Sequence, residues 1–69
     1  MTKNFTQEQL IGYLQSQLND FQENLKKYGA EDRIVDKKFD AMIACKGMVE
    51  SLIDQPVNLQ HDGKVTVGF

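Results

Sequence analysis

The chain has one cysteine and one histidine, Cys45 and His61, and little else that is chemically reactive. Thiol catalysis needs a thiolate with a base beside it. Cys45 instead closes the apolar run Ala41 to Cys45, with no histidine near it in sequence, so its expected role is a small buried core side chain. A lone cysteine excludes a disulfide within the chain, and a lone Cys with a lone His excludes a Cys/His metal cluster. His61 precedes Asp62-Gly63, a turn sequence, where a solvated turn histidine is a better reading than a general base. Glycine-rich phosphate loops, metal-ligand spacings and nucleophile motifs are absent. The expectation is a non-enzyme with no catalytic residue, no cofactor and no metal.

The charged residues are more informative. Lys26, Lys27, Arg33, Lys37 and Lys38 hold five of the eight cations and form a candidate anion site if they converge. Glu31, Asp32 and Asp36 are interleaved with them. Bases ending one helix and acids starting the next are also what helix-dipole compensation alone produces. A second constellation, Asp36, Asp40, Glu50 and Asp54, brackets Ile43 and Gly47. Acid around an apolar patch suits a basic partner, or imitates a phosphate backbone, although a charged run is ordinarily a wet face. The net charge of −2 argues against direct nucleic-acid binding, which calls for a basic excess.

Two long helices must position these groups. Thr6 and Gln9 read as a capping box, and Phe5 with Leu10 as the accompanying hydrophobic staple. Gly29 is the expected left-handed stop, which sets helix one at 7–28. Within it Ile11, Leu14, Leu18, Phe21, Leu25 and Tyr28 recur at alternating spacings of three and four, the heptad seam of a helix packed lengthwise on another. Asp32 is a plausible cap for helix two, which spans 31–54 and is stopped by Pro56. So short a connection makes the two helices antiparallel. In helix two, Val35, Met42 and Val49 repeat at seven, as do Ile34, Ala41 and Met48, and Cys45 and Leu52, with Phe39 and Ile53 broadening the stripe. One narrow seam cannot cover that width.

The tail, 57–69, has a different period. Val57 and Leu59, then Val65, Val67 and Phe69, alternate with polar residues around Asp62-Gly63. A two-residue Asp-Gly turn would pair Leu59 with Thr66 and split the apolar residues between faces. A three-residue loop, His61-Asp62-Gly63 with Gly63 in a left-handed bulge position, pairs Leu59 with Val65 and Val57 with Val67 and puts them on one face. The fold class is therefore mainly α, an antiparallel two-helix hairpin with a short C-terminal β-hairpin, in a single domain over 1–69 whose residues 1–5 form an N-terminal arm.

A core of this size supplies only about 3–5 kcal/mol by itself, and without disulfide or metal a second subunit is the reinforcement left. The expected assembly is a homo-oligomer, most simply a dimer forming a four-helix bundle. Its interface draws on Ile11, Leu14, Leu18, Phe21, Leu25, Val35, Met42, Met48, Val49 and Leu52. Gly12 and Gly47 each cost about 1 kcal/mol against alanine inside a helix. With Tyr13 and Ile43 they make a candidate partner surface, joined by Asp36, Asp40, Glu50 and Asp54. No apolar run is long enough for a membrane span, residues 1–4 lead into a helix start with no signal-peptide pattern, and a lone buried cysteine suits a reducing cytoplasm. The leading functional reading is a small regulatory or accessory protein that binds itself and an unidentified protein partner. The alternatives are an acidic inhibitor of a nucleic-acid-binding protein, as phages and mobile elements use, and an oligomer holding a small anion at the basic cluster.

Overall fold

The computed structural model describes residues 5–68. Residues 1–4 of the expected arm, and Phe69 at the end of the tail alternation, lie outside them. Helix α1 spans Gln7–Tyr28 and α2 spans Arg33–Ile53, followed by strands β1, Val57–Leu59, and β2, Val65–Val67.

The ends of the helices follow from local chemistry. Thr6 Oγ1 accepts the Gln9 N–H while the Gln9 side chain accepts the Thr6 N–H, so the capping box is complete. Gly29 ends α1 at φ 90°, ψ 159°. Its φ lies on the positive side as anticipated, but its ψ is extended rather than left-handed helical. The chain thereby leaves α1 without curling back and turns through Ala30 and Glu31. Asp32 caps α2 by accepting the Ile34 N–H at 2.8 Å, so α2 begins at Arg33 rather than at Glu31. Asp54 closes it in the left-handed region, φ 56°, two residues before Pro56.

The helices are antiparallel. Asp20 meets Lys38 at 2.7 Å, the Phe21 and Phe39 rings meet tilted by 55° with centroids 5.6 Å apart, and Tyr13 shares a groove with Met48. The strands pair antiparallel as Val57–Val67, Asn58–Thr66 and Leu59–Val65. This is the register of the three-residue loop. Gln60 N–H donates to the Lys64 carbonyl at 2.9 Å, and Gly63 takes φ 87°, where an L side chain is strained. A Cβ on Gly63 would also sit 2.8 Å from Gln22 Oε1.

Leu14, Leu18, Met42, Cys45, Val49 and Val57 form the buried cluster, with Leu59, Val65 and Val67 packed against it from the hairpin. The hairpin thus lays its apolar face on the helix pair, while Asn58 and Thr66 point outward. The molecule measures 38 × 30 × 14 Å. A sheet of two strands packs against the pair of helices.

Candidate interaction surface

The hairpin divides the helical layer into a covered side and an open side. Two glutamines seven residues apart on α1 hold it to the covered side. Gln15 Nε2 donates to the Gly63 carbonyl and its Oε1 accepts the Val65 N–H at 3.2 Å. Gln22 Nε2 donates to the His61 carbonyl at 3.3 Å. From α2, Glu50 accepts the Val57 N–H at 2.8 Å and pairs with Lys46 at 3.1 Å. Those bonds hold the Glu50 carboxyl below the usual carboxylate range, the Val57 amide contributing most. None of these polar anchors was singled out as such from sequence. The signal for the glutamines is their heptad spacing, flanking the apolar seam. Glu50 gave none, because its partner is a backbone amide seven residues on.

The open side is apolar along α2. At 100° per residue, Ile34, Ala41, Met48 and Leu52 lie within about 40° of one another, roughly a quarter turn from the buried line of Val35, Met42 and Val49. Ile34 is 42% exposed, Met48 49% and Leu52 62%, with Ala41 exposed between them. At one end this strip meets a groove of about 320 Å³ lined by Phe5, Gln9, Leu10, Tyr13 and Met48. Phe5 and Tyr13 are more than half exposed. The matching flank of α1 continues from Tyr13 through Gln17, Asp20 and Asn24 and is polar. Across the described residues, eight large hydrophobic side chains are at least 42% exposed, whereas seven are buried. Of the exposed eight, Phe5, Tyr13, Ile34, Met48 and Leu52 lie along this strip and groove, whereas Phe39 and Ile43 lie on other faces of α2.

The sequence-derived groups fall in several environments. Of the ten residues assigned to an oligomer interface, Leu14, Leu18, Val35, Met42 and Val49 are buried within the chain. Ile11, Phe21 and Leu25 are half-buried, leaving Met48 and Leu52 exposed. Tyr13 joins Met48 rather than Ile43, which at five residues from Met48 lies about 140° around the helix. Gly12 and Gly47 are exposed, and among the described residues no heavy atom outside their own helix turn lies within 4 Å of where a Cβ would stand on either. Asp36, Asp40 and Asp54 are exposed, whereas Glu50 is engaged as described. In the basic cluster, Lys38 pairs with Asp20, and Lys27 stands over the Tyr28 ring at 5.3 Å. Lys26, Arg33 and Lys37 are exposed.

Cys45 is 8% exposed, and burial pushes its thiol pKa up. It is a neutral core side chain at neutral pH, the opposite of an activated nucleophile. His61 is exposed in the hairpin loop. Among the described residues no cluster of three or more His, Cys, Asp or Glu side chains could hold a metal ion, and no helix is long and apolar enough to cross a membrane. No protein-family model, curated protein or solved structure shows a significant match to the chain.

Proposed function

We propose that this chain is a small, non-enzymatic interaction module that acts as a homodimer, two helical hairpins packing open side to open side as a four-helix bundle. The observation that carries this reading is the exposed apolar strip of Ile34, Ala41, Met48 and Leu52 with its adjoining groove. The β-hairpin packs on the other side of the helices, and among the described residues nothing covers this strip. A stable interface takes about 800 Å² from each partner, so the strip, the groove and the flanking side chains of both helices would all take part. In such a dimer Asp36, Asp40, Asp54 and Gly47 remain outside, available to a further protein partner that the dimer would regulate or assist. A cytoplasmic setting suits a chain whose one cysteine sits in its core.

Absolute molar mass by light scattering behind size-exclusion chromatography, over a range of concentrations, tests the reading. The native chain should run at twice 7.9 kDa. The double variant Met48→Lys, Leu52→Lys should run as a monomer with its helical circular dichroism retained. A native chain that stays at 7.9 kDa throughout overturns self-association.

A further inference from the structure

The β-hairpin has two outer edges, and the edge of a sheet is a template on which a strand of another chain can pair. Gln60 N–H donates to the Lys64 carbonyl and Gly68 N–H to the Pro56 carbonyl. Antiparallel pairs alternate, so in the observed register Asn58 and Thr66 also bond across the ladder. The backbone groups of Val57 and Leu59 on β1, and of Val65 and Val67 on β2, therefore turn away from the partner strand and line the two edges. One amide on each edge is taken by a helix side chain. Glu50 Oε2 on α2 accepts the Val57 N–H at 2.8 Å, and Gln15 Oε1 on α1 accepts the Val65 N–H at 3.2 Å. Both acceptors are steered by a second bond. Lys46 Nζ holds the other Glu50 oxygen at 3.1 Å, and Gln15 Nε2 donates to the Gly63 carbonyl.

We infer that Glu50 and Gln15 are edge caps, which close the hairpin to strand addition by a second copy of the chain. An antiparallel strand pairs with an edge by exchanging hydrogen bonds with each outward-facing residue. Each edge has two such residues, and the cap takes one of them. The residue left, Leu59 on β1 or Val67 on β2, is too short a ladder to hold a strand. The caps matter because the hairpin is otherwise suited to pairing. Its strands, Val-Asn-Leu and Val-Thr-Val, are uncharged and rich in β-branched residues. The helices cover its inner face, while Asn58 and Thr66 are exposed on the outer one. One cap comes from each helix, and the two act at opposite ends of the ladder. Val57 belongs to the pair Val57–Val67, and Val65 to the pair Leu59–Val65. No strand can run the length of either edge without displacing a cap. The inference does not rest on the homodimer proposed above, because it concerns the sheet and holds for a monomer as for a dimer.

Removing the caps from the full chain tests this. Gln15→Ala with Glu50→Ala opens both edges. During incubation at high concentration, intermolecular sheet should appear in the amide I infrared spectrum about tenfold faster than in the native chain, the factor that one ordinary hydrogen bond carries. Gln15→Glu separates capping from tethering. It loses the donor to Gly63 and keeps an oxygen within reach of Val65, so it should stay at the native rate while Gln15→Ala does not. Glu50→Gln keeps an acceptor for Val57 and should also stay at the native rate. Ile11→Ala thins the packing on the core with both caps in place, and urea denaturation measures how far it is destabilised. An uncapped double variant no faster than the native chain would overturn the inference. So would Ile11→Ala forming sheet as fast at an equal or smaller loss of stability, since instability alone would then explain the result. Gln15→Glu behaving as Gln15→Ala would make Gln15 a tether and overturn its role as a cap. None of these outcomes bears on the homodimer, which stands or falls on the molar mass of the native chain.

Discussion

The two flanks of α2 both carry apolar side chains but are treated in opposite ways. On one flank Phe39 packs on Phe21, and Glu50 ties the helix to the first strand. The hairpin lies over that side, with Val57 2% exposed. On the other flank Ile34, Met48 and Leu52 face outward with no element above them among the described residues. The covered flank combines apolar burial with backbone hydrogen bonds to side chains, while the open flank is apolar with no such anchors among the described residues. Directional bonds to a specific backbone amide identify surface that is reserved for the chain itself. An apolar strip without them can be matched by any helix with a complementary seam.

The sharpest contrast comes from truncating one leucine on each side. Leu14 is fully buried in the core, and Leu14→Ala should cost about 2–5 kcal/mol by loss of packing and creation of a cavity. In a domain of this size that amounts to most of the folding free energy, so urea denaturation should show a largely unfolded chain at 25 °C. Leu52→Ala, at 62% exposure, should change the unfolding free energy of the dilute monomer by only about 0.5 kcal/mol. Equal losses would mean that the open strip is covered within the chain after all.

A smaller effect should follow from releasing the hairpin. Gln15→Ala removes two hydrogen bonds to the hairpin backbone, each worth about 0.5–1.5 kcal/mol net. Amide exchange should accelerate at Val65 and its strand partners well before it does in the middle of α1. Uniform acceleration would show that the hairpin and helices open as one unit.

The mildest test is pH. Glu50 has a carboxyl pKa held below its ordinary value near 4.5. The unfolded chain therefore binds a proton more readily there than the native one, and stability rises with pH across that interval. The Glu50 contribution is fully present above the unfolded value and is lost as pH falls through the lower, folded one. The melting temperature of the native chain should fall more steeply on acidification through the carboxylate range than that of Glu50→Gln. Parallel profiles would assign the acid sensitivity to other carboxylates.

Much of the architecture was legible because its causes are local. The capping box at Thr6 and Gln9, the stop at Gly29, the cap at Asp32 and the breaker at Pro56 each act within a few residues, and both helices lie close to where those signals put them. The hairpin register was legible for a related reason. Only the loop of His61, Asp62 and Gly63 keeps four apolar side chains on one face, and that pairing is the one formed. The site was less legible. The grouping of Tyr13 with Ile43 treated helix surface as a matter of spacing along one chain, whereas the neighbour of Tyr13 is set by how the second helix is rotated.

What the sequence determined by itself, then, is where the elements begin and end, that α2 has more apolar surface than one neighbour can cover, and that Cys45 and His61 lack the partners for chemistry. Only the tertiary structure decided how that surface is divided. Three adjacent heptad lines on α2 are equally apolar as text. The line of Val35, Met42 and Val49 went to α1 and the core, and the line of Ile34, Ala41 and Met48 stayed outside. The physical reason is that rotation of a helix about its axis is settled by contacts between elements distant in the chain. Here those contacts include the hold of Gln15 and Glu50 on the hairpin, which fixes the side the sheet covers and so the side left open.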